Sequence, residues 1–166
     1  MSTDYEATPS EVRTFALLQL ALTAGFLLLI FWALDGTDAD LPPWWVFVVL
    51  LVPVGVAAYF AEQVWLKTDP LDPAEDPQEN ERIAVGVFAA HSVRRLMICE
   101  AAIIWSIFPW SFLGSWAAWP IVIGGLPGFA LLVFELWPSL RNVSMTAAIL
   151  ETEGADSRLV DGFRGW

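Results

Sequence analysis

Four side chains able to do chemistry lie within or at the ends of long apolar runs: Gln19, Glu62, Glu100 and Glu135. Glu100 is the sharpest of them. It lies in the run RRLMICEAAIIWSIFPW, residues 94–110, where an ionisable side chain costs roughly 2.5 kcal/mol or more and usually faces a bundle interior or a watery cavity. Such an acid needs a partner, and the nearby bases are badly placed to serve. At about 100° per residue, Arg94 and Arg95 stand roughly 240° and 140° around the helix from Glu100. The partner is therefore expected from another helix, the alternative being a carboxyl that is protonated or reaches the headgroups from a depth of only about 7 Å. Gathered on one side of a bundle, the four groups would either bind a cation or proton or tie helices together by hydrogen bonds.

Other chemistries find little to work with. A single cysteine, Cys99, and a single histidine, His91, exclude an intramolecular disulfide and point to no metal site and no cofactor within one chain. Cys99 reads as small helix packing and His91 as a polar residue near the headgroups. The acidic stretch TDPLDPAEDPQENE, residues 68–81, lacks the glycine and the ligand order of a calcium loop, so it reads as an extended, solvated connector. GGLPG at 124–128 lies in an apolar run of membrane length, which excludes a dinucleotide or phosphate loop and suggests a kink with close helix approach. With 19 acidic against 8 basic residues the net charge is −11, which repels nucleic acid and anionic lipid.

The elements that must position these groups are apolar and of membrane length. In 166 residues, 57% of them hydrophobic, four spans are expected at 14–34, 44–66, 95–114 and 118–137. They make up one membrane domain over 14–138. A polar leader precedes it at 1–13, with Ser10 as helix cap, and a tail follows at 139–166, with a surface helix over 143–151 and a flexible end. The leader is too acidic, and the first apolar run too long, for a cleaved signal peptide. Pro53 is expected to kink the second span.

All eight basic residues fall in the leader, the second loop region or the tail, while loops 35–43 and 111–117 have none. By the positive-inside rule both ends are cytoplasmic. Trp32, Trp44, Trp45, Trp110, Trp116 and Trp119 then form an outer aromatic belt, and Trp65 and Trp137 an inner one. The halves also read as a repeat. Gln19, Pro53 and Glu62 correspond in order and approximate depth to Glu100, Pro127 and Glu135, giving two parallel hairpins related by an axis along the membrane normal.

The sequence thus predicts an all-α, four-helix integral membrane bundle, multi-pass in the plasma membrane. Its expected partners are the lipid bilayer and either further copies of itself or a larger membrane complex. With no paired catalytic motif, the expected role is a non-enzymatic scaffold or accessory subunit. The alternative is a small cation or proton transporter or channel using the intramembrane carboxylates.

Overall fold

The computed structural model describes residues 7–113 and 116–164, and this part of the chain is helical with no strands. Helix α1, Pro9–Ala33, begins ahead of the expected span because Thr8 rather than Ser10 is the cap. Thr8 Oγ1 accepts from the Glu11 N–H, the Glu11 carboxylate accepts from the Thr8 N–H, and Pro9 suits the first turn. Residues 9–13 of the expected leader are therefore helix, and residues 1–6 lie outside the described part.

Helix α2, Trp44–Gln63, runs through Pro53 as one helix and ends in a 3-10 turn, Trp65–Lys67. Helix α3, Pro77–Leu113, starts inside the stretch expected to be extended and passes the expected start of the third span in one 37-residue helix. It also carries on through Pro109 into the expected loop at 111–117, of which residues 114 and 115 lie outside the described part. A π-helical turn, Ile121–Gly125, then leads into α4, Leu126–Leu136. Pro127 has no N–H for the regular ladder, and a local π turn just before it is one way to absorb the defect.

Two stretches, Pro9–Ala33 and Trp44–Lys67, are long and apolar enough to cross a membrane, with 25 and 24 residues. A third candidate joins Ile121–Leu136 to Leu140–Leu150 across a 51° bend. Their outer faces are apolar: on α1, Leu18, Leu22, Leu28 and Leu29 are all exposed. A soluble monomer rarely leaves so large an apolar surface uncovered.

Helix α3 is central, packing against α2, α4 and the π turn, while α1 leans on α4. The glycines of GGLPG bring α4 onto α3. A Cβ on Gly128 would lie 2.8 Å from Ile103 Cγ1, and one on Gly124 would lie 2.6 Å from Ser106 Oγ. Ile103, Ile107, Ile121, Leu132 and Leu27 fill the apolar core of this region. At the loop end, Gly36 and Ala39 accept hydrogen bonds from the Ala118 N–H and the Trp119 indole.

At the opposite end, where the 68–76 connector meets both terminal regions, the sequence reading needs correcting. Helix α5, Leu140–Leu150, capped by Ser139, and helix α6, Leu159–Arg164, are not a loose tail. Val12, Leu71, Phe88, Val143, Leu150, Leu159 and Phe163 form a second buried core there. Leu71 is 4% exposed and its N–H bonds the Leu150 carbonyl at 2.9 Å, so the acidic connector is pinned at its one large apolar residue. Residues 165 and 166 lie outside the described part.

Candidate functional site

The polar groups of this terminal end converge on Arg95. One face of α3 carries His91, Arg95, Cys99, Ile103 and Ile107, each four residues from the next and all buried. This is the spacing that lines residues up along one side of a helix. Arg95 is 0% exposed. Its Nη1 lies 3.6 Å from Glu135 Oε2 of α4, whose side chain is 1% exposed. Its Cζ lies 3.8 Å from the centre of the Trp65 ring, and its Nε donates to the His91 carbonyl at 3.4 Å.

Trp65 is at the core of this arrangement. Expected as an inner-belt anchor, it is 1% exposed and serves instead as an aromatic floor beneath the guanidinium. His91, expected near the headgroups, is 4% exposed and packs edge-on to Trp65. Its Nε2 lies 3.2 Å from Thr68 Oγ1. Burial, reinforced by the Arg95 and Arg94 guanidiniums, pushes the imidazole down to about 4, which leaves it neutral at pH 7.

Asn142 of α5 closes the end of α4. Its side-chain amide donates to the carbonyls of Phe134, Glu135 and Trp137, three of the groups a helix C-terminus leaves without partners. Next to it, Arg141 pairs with Glu62 of α2 and lies over the Phe134 ring at 4.6 Å. Glu62 is within electrostatic reach of Arg95 and Glu135.

The structure thus brings Glu62 and Glu135 to one end, each beside an arginine. Glu100 is half-buried and accepts from Thr23 Oγ1 of α1 at 3.3 Å, so its partner does come from another helix. Gln19 is half-buried on α1 and makes no hydrogen bond among the described residues. Arg95, Trp65 and Asn142 are the members that spacing from Glu100 did not find. The four-residue ladder from His91 to Ile107 was the signal for Arg95.

The arrangement is an ion pair held inside protein rather than a ligand cradle. Arg95 Nη1 and Nη2, Glu135 Oε2, His91 Nδ1 and the Trp65 indole nitrogen are all buried without hydrogen-bond partners among the described residues. Coulomb attraction, the Trp65 face and the Nε bond to the His91 carbonyl therefore hold Arg95 in place. No group of three or more His, Cys, Asp or Glu side chains could hold a metal among the described residues. Comparison with known proteins finds no family model, curated protein or solved structure that matches the chain.

Proposed function

We propose that this chain is a multi-pass plasma-membrane protein whose four spans form a bundle with both ends in the cytoplasm, and that it acts as a non-enzymatic scaffold or accessory subunit. In this reading α1, α2, the second half of α3 and the 121–136 segment are the spans. Two hairpins run the same way, and the end holding the two terminal regions faces the cytoplasm. The basic residues support the orientation, since Arg13, Lys67, Arg94, Arg95, Arg141, Arg158 and Arg164 all lie at that end.

The observation that carries the role is the enclosure of the Arg95–Glu135 pair. Both side chains are buried among α3, α4 and Trp65, and above them the α3 ladder continues as Cys99, Ile103 and Ile107, all buried in an apolar core. Charges placed this way fix helix register and orientation, which is a use of buried polar groups in bundles. What remains for partners is the apolar outer face of the spans and the acidic connector, a surface suited to another membrane chain or a further copy.

The transport alternative draws on the unsatisfied Glu135 Oε2 and the nearby Glu62, which together could accept a cation or proton. Extraction in mild detergent, followed by native mass measurement of what co-purifies, tests the leading reading. The expected result is a species larger than one chain. A monodisperse monomer with nothing attached would overturn it. Reporter fusions at 72–76 and after 164 should read cytoplasmic, and fusions at 36–40 external.

A further inference from the structure

Between α2 and α3 runs an apolar groove of about 770 Å³ that faces outward. Its floor is made by the small, buried Ala57 and Ala102, and its walls include the exposed side chains of Phe60, Met97 and Trp105. From Arg94 to Trp105 helix α3 advances about 16 Å, close to the depth of one leaflet of a hydrocarbon core of about 30 Å. At its terminal end the groove is lined by Lys67 and Arg94.

The same two cations also line a second cavity of about 400 Å³, enclosed by the connector and the start of α3. Lys67 and Arg94 make no ion pair among the described residues, whereas Arg82, Arg95, Arg141, Arg158 and Arg164 each do. In a chain of net charge −11, Lys67 and Arg94 are, among the described residues, the only charged ones lining the apolar groove, which makes its terminal end positive. The repulsion from distant acids is screened beyond about 8 Å at physiological salt. The second cavity is lined further on by Asp69, Asp72 and Glu75, and by Asn80, whose Oδ1 is buried without a hydrogen-bond partner.

We propose that this composite groove binds one membrane glycerophospholipid, with a hydrocarbon chain along α2 and α3, the phosphodiester on Lys67 and Arg94, and a donor-bearing headgroup directed to the carboxylates. The sequence of surfaces matches the sequence of chemical groups in such a lipid: apolar, then cationic, then hydrogen-bond accepting. A headgroup with several phosphates does not suit the site, because the three carboxylates would repel it. A quaternary ammonium brings positive charge to the carboxylates but no N–H to donate to them or to Asn80 Oδ1, so a primary ammonium headgroup fits better. The inference is independent of the scaffold reading, since a scaffold and a transporter could both hold such a lipid.

The test is native mass spectrometry of the detergent-purified full chain with added phosphatidylethanolamine, whose ammonium has three N–H donors, or phosphatidylcholine, which has the same net charge and none. A one-to-one phosphatidylethanolamine adduct is expected at a concentration about tenfold or more below that needed for phosphatidylcholine, in line with the strength of charge-assisted hydrogen bonds. The double substitution Lys67→Gln/Arg94→Gln should abolish phosphatidylethanolamine retention. Asp69→Asn/Glu75→Gln should weaken retention and reduce the preference over phosphatidylcholine. All four side chains are exposed, and a circular-dichroism melt confirms that the variants fold. Equal retention of the two lipids, or undiminished phosphatidylethanolamine binding by Lys67→Gln/Arg94→Gln, would overturn the proposal.

Discussion

Removing one member of the Arg95–Glu135 pair should destabilise the protein far more than removing both. At the observed 3.6 Å and an effective dielectric of about 20, the attraction between unit charges is about 4–5 kcal/mol. The stack on Trp65 adds about 2 kcal/mol for a desolvated cation–π contact. Glu135→Leu keeps similar volume but leaves a buried guanidinium without its countercharge, and Arg95→Met strands the carboxylate. Each should cost about 3–5 kcal/mol. The double substitution Arg95→Met/Glu135→Leu removes both charges and fills similar volume, so it should fall within about 2 kcal/mol of the natural sequence. Reversible unfolding in mixed micelles, followed by tryptophan fluorescence of all four proteins, gives the coupling energy directly. Losses that simply add in the double variant would refute the claim that the two charges hold each other.

The remaining predictions concern other parts of the structure. The contribution of His91 to stability should be constant above pH 6.5 and be lost as the pH drops from 6.5 towards 4, because unfolded His91 takes up a proton that the folded imidazole, near 4, refuses. The full effect is on the order of 3 kcal/mol, and the difference between natural protein and His91→Gln in micelle unfolding isolates it from the carboxylates. Gly128→Ala should cost about 1–3 kcal/mol through its clash with Ile103, while Gly86→Ala, which meets nothing within 4 Å, should be neutral or slightly stabilising in the same assay. Leu71→Ala should cost about 2–3 kcal/mol and expose the connector to limited proteolysis, since it removes the buried contact that holds residues 68–76 to α5.

The helices α1 and α2, each long and apolar enough to cross a membrane, are legible in the sequence because their apolar runs are uninterrupted over that length. The terminal end is harder to read. Arg95 and Trp65 are the residue types that mark a membrane interface, and here they are turned inward against each other by a 3-10 turn that no local pattern announces. Leu71 looks like an incidental apolar residue in an extended, solvated acidic run until α5 supplies the carbonyl and the surface it meets. Glu100 drew attention for its depth, yet among the described residues its one hydrogen bond is from the Thr23 hydroxyl. Glu135, read as one of four candidate groups and the counterpart of Glu62, is the buried acid. Depth along one helix follows from sequence, whereas facing depends on which helix lies opposite.

The claim that the buried charges serve the fold rather than ion passage is tested most directly by ion flux in proteoliposomes. The natural protein, reconstituted under imposed proton, sodium or potassium gradients, is predicted to give no flux above empty liposomes. A saturable flux that Glu135→Gln abolishes, in vesicles where that variant is shown to be folded, would contradict it.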